Sequence, residues 1–305
     1  MILGSAFFNT YKPKAALRVT GEDAFSFLQG QFSNDLRQPT GVATYGLWLN
    51  QKGKVVADSV VLRLAENEFL VISFGSPAGV IEQRLQDYIV ADEVNLMDET
   101  DAVGGMIIGG VGSGEIVRRF SEIVPGRAQF VRKGPAVIFH GYRLPGENYE
   151  IIGPHLIMSA WREQLAAVGL VDGGYPPIER ARIAAGIPAI PADIGPADLP
   201  NEAGLELSAI SFTKGCYLGQ EVMARLKNLG QVRRQLQVVR GTGSPPKPQA
   251  PLFQGSKKVG ELRSVAADGD GFVALAMLVQ LNLNRSEGLS LAPDASPTIQ
   301  VVPHE

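Results

Sequence analysis

The run Lys214-Gly215-Cys216-Tyr217-Leu218-Gly219-Gln220-Glu221 places the single cysteine of the chain between two glycines, two residues after a lysine and just ahead of a segment with helical spacing. A helix N-terminus presents unpaired N–H groups and partial positive charge, and an ammonium nearby adds to that field, so these surroundings favour a thiolate. Cys216 is therefore read as a functional thiol and Lys214 as the cation that poises it, against the alternative of a small buried hydrophobe. His140, His155 and His304 are scattered along the chain, and nothing in the sequence brings one to Cys216 as a catalytic base. Val222, Met223, Leu226 and Leu229 predict a helix over Gly219 to Gly230, with the last glycine as its cap.

Asp58 is the second residue with chemical potential. Alternation through Lys54–Leu64 puts it on the same strand face as Val56, Val60, Leu62 and Leu64. An unpaired buried carboxylate costs several kcal/mol, on the order of what a lost ion pair costs, so Asp58 needs hydrogen-bond partners, an arginine, or a cavity wall. Glu202, in Leu199-Pro200-Asn201-Glu202-Ala203-Gly204-Leu205, is a third carboxylate, held at the end of a proline-rich loop. Arg225, Lys227, Arg233 and Arg234 cluster close to the cysteine and form either an anion-binding patch or a solvated helix end followed by a strand start.

The elements that must position these groups mix strands and helices without regular alternation, which predicts an α+β fold. Lys54–Leu64, Phe69–Phe74, Val103–Ile108 and Ala136–Phe139 read as strands. Helical patterns cover Asp23–Leu28, Ala78–Ile89 with Ile81, Leu85 and Tyr88 on one face, Ala160–Val168 with Ser159 as N-cap, and Ile178–Ala185. Pro188, Pro191, Pro196 and Pro200 make Gly186–Gly204 irregular, and its length inside a compact region favours an ordered loop along a binding cavity. The Gly241–Pro248 stretch reads as a linker or wide loop entering a final β module made of Lys257–Val265, Gly271–Leu278 and Thr298–Val302. Gly109–Gly114 lacks the GxGxxG spacing of a nucleotide fingerprint and reads as a turn, followed by a short helix at best.

With 305 residues and 45% hydrophobic content the chain can bury a large core. Its 28 Lys and Arg against 31 Asp and Glu argue against a broad nucleic-acid surface. No apolar run reaches membrane-span length, and Met1–Phe8 lacks the basic flank of a signal peptide. One cysteine excludes an internal disulfide and argues against a self-contained zinc or iron–sulfur cage, so no metal site is expected and a cytoplasmic location is.

The octapeptide, the following Val222-Met223-Ala224-Arg225 and the Arg233-Arg234 pair together resemble the signature of the YgfZ family of folate-binding proteins, relatives of the glycine-cleavage T-protein, an aminomethyltransferase. The likeness extends upstream to Gly21-Glu22-Asp23-Ala24, Phe27-Leu28-Gln29-Gly30, Asn34-Asp35, Asn50-Gln51-Lys52-Gly53-Lys54 and Pro200-Asn201-Glu202-Ala203, and so covers most of the chain. It implies a GcvT-like fold of several subdomains around a central channel: residues 1–235 as a folate-binding region of two interleaved α+β subdomains and 236–305 as a C-terminal β-barrel. It implies tetrahydrofolate or a folate derivative as ligand, with Glu202 on the pterin edge and Asp58, the second of the T-protein's paired aspartates, lining the site as a catalytic and folate-binding candidate. Asn34, Asn50 and Arg225 are further binding candidates, each of the two asparagines equally able to cap a turn. Arg182 is expected to pair with a loop carboxylate.

The expected function is support of iron–sulfur cluster assembly or repair in client enzymes, and through one of them tRNA modification, with folate and those clients or assembly factors as partners. The alternatives are a tetrahydrofolate-dependent aminomethyltransferase and a module without ligand chemistry. Cys216 separates the first two, because T-proteins lack it there, and Ala57 replaces the first of their paired aspartates. Whether the protein turns over a substrate stays open at this level. The expected cavity is walled by the Asp58 strand, the Glu202 loop and the Cys216 turn.

Overall fold

Three sheets, built in an interleaved chain order, carry the site. The computed structural model describes residues 5–229, 232–281 and 283–303. The chain opens in the second sheet with Phe7–Tyr11, crosses to build the first, then returns at Val103–Gly109 to complete the second. The first sheet is antiparallel, in the order Ala43–Leu49, Val55–Ala65, Glu68–Ser73, Ala15–Thr20, Asn95–Asp98. The second runs Val171–Asp172, Phe7–Tyr11, Val103–Gly109, Asn148–Pro154, Ala136–His140, Phe130–Lys133, with only its first pair parallel.

Strand periodicity decides what lies between these sheets. Along Val55–Ala65, Ala57 and Val61 enter a core with Leu17, Phe69, Val71 and the helices Ala24–Gln31 and Ala78–Gln86. The alternate residues Val60 and Leu62 pack with Phe130, Val137, Phe139 and Ile152 of the second sheet. Asp58 lies on this second face, the one it shares with Val60 and Leu62, as the alternation predicts.

The third sheet is antiparallel, ordered Pro251–Gln254, Lys257–Asp268, Gly271–Val279, Arg234–Thr242, Ile299–Val301. It curls: Ser290 bridges to Phe253 on one edge strand and Leu289 to Ile299 on the other, so the C-terminal piece is the small barrel-like unit expected. Arg234–Thr242 already belongs to this sheet, so the Gly241–Pro248 stretch is a wide loop within it and not an approach to it.

Helix ends differ from expectation where proline and tertiary packing act. The helix expected at Ala160–Val168 spans His155–Ala167, with Pro154, the last residue of the preceding strand, in the N-cap position; Ser159 sits inside the helix. The helix from Ala78 ends at Gln86, with Tyr88 N–H returning to Leu85 O in a turn. The helix expected at Ile178–Ala185 begins three residues earlier and spans Tyr175–Ala184, with Ala185 as its C-cap. Behind the glycine run a full helix forms at Ser113–Ser121, anchored by Ser113 Oγ donating to Glu147 O at 3.1 Å. The helix after the cysteine spans Gln220–Leu229; Gly230 lies outside the described residues. No described helix is long and apolar enough to cross a membrane.

Candidate functional site

The cavity opens where the shared face of the first two sheets meets the proline-rich loop. It measures about 410 Å³, within the range of small-molecule sites, which runs from about 300 to 1,000 Å³. Tyr45 and Asp58 come from neighbouring strands of the first sheet, Tyr142 and Arg143 from the loop after Ala136–His140, and Glu179 and Arg182 from the helix Tyr175–Ala184. The loop supplies Gly186–Ile190, and the segment after it Ala203–Leu205 and Ser208.

Asp58 is the acid that the first sheet gives this wall. Ser73 Oγ and Ser76 Oγ each donate to Oδ1 at 3.2 Å, and Tyr45 Oη donates to Oδ2 at 3.2 Å. Burial raises its pKa to about 6, against the opposing pull of those hydroxyls. Tyr45 stacks on Tyr142, with ring centroids 5.1 Å apart and planes at 22°, giving an aromatic surface beside a carboxyl that holds or releases a proton near neutral pH. Arg143 lies between the rings of Tyr11 and Phe74, 4.2 and 4.4 Å from their centroids. Glu150, fully buried, accepts from Arg143 Nε at 2.8 Å, Arg143 Nη2 at 2.9 Å and Tyr11 Oη at 2.6 Å.

Two arginine hubs make the proline-rich loop an ordered wall, as expected. Arg182 Nη1 donates to Asp193 Oδ2 at 2.7 Å and to Ile187 O at 2.5 Å, its Nη2 to Ser264 Oγ at 2.8 Å, and its Nε to Glu179 at 3.0 Å. Asp193, fully buried, also accepts from Ala189 N at 2.8 Å and Ser264 N at 2.8 Å. Arg182 thus has the loop carboxylate partner expected of it. Farther along, Arg234 of the third sheet donates to Asp198 at 3.0 Å and to both oxygens of Glu202 at 3.0 and 2.9 Å.

Of the residues singled out in the sequence as ligand-binding or catalytic candidates, Asp58 alone lines the cavity, joined there by Arg182. Glu202 sits beside the wall: Oε2 accepts from Leu199 N at 2.7 Å, closing the turn, and both oxygens meet Arg234. This engagement takes Arg234 out of the basic cluster, while Arg225 stays exposed on its helix. A Glu202→Ala substitution is expected to cost about 1–3 kcal/mol, less than a fully buried pair because Arg234 keeps solvent contact. Urea unfolding measures it, and a change within error would show that the Arg234 contact carries no stability.

Asn50 closes the turn between two strands, its Oδ1 accepting from Lys52 N at 2.9 Å and Lys54 N at 3.1 Å. That turn packs on the signature helix so closely that a Cβ on Gly53 would meet Val222 Cβ at 2.9 Å, and one on Gly219 would meet Asn50 O at 2.8 Å. Both glycines also have positive φ, +69° and +87°. Asn34 Nδ2 donates to Tyr45 O at 2.8 Å and Ser208 O at 3.3 Å, tying together two cavity-lining residues. Lys214 is buried and its Nζ donates to the carbonyls of Gln29, Phe32 and Asn34 at 2.7, 2.7 and 2.9 Å. Burial pulls its pKa down to about 8. All three N–H bonds of the ammonium close the end of the Ala24–Gln31 helix, which fastens the signature turn to the first sheet's layer. Cys216 is exposed, two residues on, and is not among the residues lining the cavity.

Sequence reading missed Tyr142, Arg143, Glu150 and Glu179. Glu150 had a legible signal, since it is the lone carboxylate in Tyr149-Glu150-Ile151-Ile152, an otherwise apolar strand.

The molecule is thus an α+β protein with a cavity of small-molecule size, walled by two sheets and an arginine-pinned loop. A family model described as the GCVT N-terminal domain matches residues 12–214, and the chain belongs to that family. It is 28% identical over 285 residues to the mitochondrial iron–sulfur cluster assembly factor IBA57 of Mus musculus, covering 87% of this chain and 75% of that one. It is 24% identical to the tRNA-modifying protein YgfZ of Yersinia enterocolitica, over 95% of this chain and 89% of the relative. The glycine cleavage system aminomethyltransferase T of Bartonella henselae shares the fold, with a TM-score of 0.79 at 20% identity over 91% of this chain and 79% of that chain.

Proposed function

We propose that this protein binds tetrahydrofolate or a folate derivative in the Asp58 cavity and supports iron–sulfur cluster assembly or repair in client enzymes, and tRNA modification through such a client. The observation that carries the reading is the pairing, in one chain, of this cavity with an exposed signature thiol, Cys216. The relatives named for iron–sulfur assembly and for tRNA modification support it. The residues fit a folate: the Tyr45–Tyr142 pair offers a stacking surface, and Asp58 offers a carboxyl to a ring N–H or an amine nitrogen. When bound, the folate supplies a one-carbon carrier. The chain's own residues bind and orient it, shield it from water, and hold a proton at Asp58.

The shared fold with aminomethyltransferase T favours a second reading, direct aminomethyl transfer. Ala57, which replaces the first of the T-protein's paired aspartates, faces the opposite core from Asp58, so one carboxylate of that pair is absent. Titration with tetrahydrofolate together with an aminomethyl-transfer assay separates the two, binding without transfer being the expected result. Transfer at enzymatic rates would establish the second reading. A Cys216→Ala variant is expected to keep folate affinity and lose support of an iron–sulfur client in a reconstitution assay. Full client activity in that variant would remove the thiol from the function.

A further inference from the structure

The cavity and Cys216 are joined by one short buckle, Ser33-Asn34, and we propose that Asn34 is a positioning residue that couples occupancy of the cavity to the reactivity of Cys216. For its ligand the proposal rests on the folate reading, but its geometry does not.

On the cavity side, Asn34 Nδ2 holds the backbone of both Tyr45 and Ser208. Ser33 doubles the grip, its Oγ donating to Ala209 O at 2.6 Å and accepting from Leu47 N at 2.7 Å. Contact with the strand is tight enough that a Cβ on Gly46 would lie 2.6 Å from the Phe32 ring and 3.1 Å from Asn34 Cβ. On the cysteine side, Asn34 O accepts from Lys214 Nζ at 2.9 Å, and Ser33 O accepts from Ser211 N at 3.0 Å. Leu218 N bonds to Gly30 O at 3.2 Å, so the far end of the signature turn also hangs on this helix end.

A ligand that contacts Tyr45 or Ser208 therefore shifts or stiffens groups bonded directly to Asn34. Lys214 carries that change two residues on to the thiol. Close packing makes such arrangements respond in discrete steps, and a coupling is established only by showing that both sites bias the same element.

Because Cys216 is the sole cysteine, its alkylation by iodoacetamide reports on this site alone. With full-length protein and 5-formyltetrahydrofolate as probe, saturating ligand is expected to change the alkylation rate about fivefold or more, the lower range of typical coupling. Asn34→Ala should still bind the probe while its alkylation rate no longer responds, which a merely structural loss of a hydrogen bond would not produce. Probe binding with an unchanged wild-type rate overturns the coupling and leaves the folate reading intact, as does an undiminished response in Asn34→Ala. If the probe does not bind, the folate reading fails, and a Ser208→Trp substitution at this exposed wall position decides the coupling instead. A rate shift in Ser208→Trp that Asn34→Ala abolishes supports it; no shift overturns it.

Discussion

Arg182→Ala is expected to destabilise the protein by about 3–5 kcal/mol, the range for breaking a buried ion pair by removing one partner. Arg182 is 4% exposed and its guanidinium reaches a helix neighbour, two positions of the proline-rich loop and the third sheet. Truncation leaves Asp193, with no solvent contact, holding a charge that two N–H groups alone must compensate. The same change removes the side-chain bond to the carbonyl of Ile187, a loop residue that lines the cavity. Loss of ligand affinity should therefore accompany loss of stability. Urea unfolding reads the first effect as a lower midpoint at unchanged slope. Arg182→Lys keeps the charge without the fork that serves several acceptors at once, and should fall between the two. A midpoint within error of the wild type for Arg182→Ala would mean that the hub does not hold the loop.

Local patterning made much of this fold legible. The strand alternation around Asp58 placed its carboxylate on the correct face, because a period of two leaves no freedom once Val60 and Leu62 are committed to the core. The proline spacing of Gly186–Gly204 marked an irregular loop, since prolines there deny the chain a ladder or an α-helix and leave only a 3-10 turn at Pro200–Ala203. What could not be read is which distant segments meet. Tyr45 and Tyr142 stack only because the first two sheets pack face to face, and no local pattern encodes that pairing.

Lys214 shows a different limit. Its type and spacing suit an activating cation, yet the same ammonium serves equally well as a cap for the carbonyls at a helix end, and that choice depends on where Gln29, Phe32 and Asn34 come to lie. Glu202 is similar, because a carboxylate at a loop end accepts an arginine fork as readily as a heterocycle edge. In both cases the residue type was informative and the partner was set by tertiary contacts. The groups engaged in this way hold the cavity wall and the signature turn in place, with Asp58 on that wall and Cys216 exposed on that turn.

Asp58→Asn is the second large expectation, and it has opposite signs for binding and for stability. Burial raises the folded pKa of Asp58 to about 6, while the unfolded chain titrates at about 4. Between those values the folded state binds more protons than the unfolded state, so this residue's contribution to stability falls as pH rises through the window. At pH 7 the folded protein bears the full cost of an ionised carboxylate in a partly buried site, at most about 3 kcal/mol for a shift of two units. Asparagine removes the ionisation and keeps an acceptor for Ser73 and Ser76, and the Tyr45 hydroxyl can turn to accept from the amide. The variant should thus be more stable than wild type by about 1–2 kcal/mol at pH 7, and the gain should vanish near pH 4.5, as expected where a functional site is kept at a cost in stability. Folate affinity should fall in the same variant, since the carboxylate that a ring N–H or amine would meet is gone. Urea midpoints of the two proteins at pH 4.5, 5.5 and 7, with a ligand titration at pH 7, test both arms. A stability difference that does not change with pH would show that Asp58 ionises in the fold as it does in the open chain, and would remove it as a group that titrates near neutrality on the cavity wall.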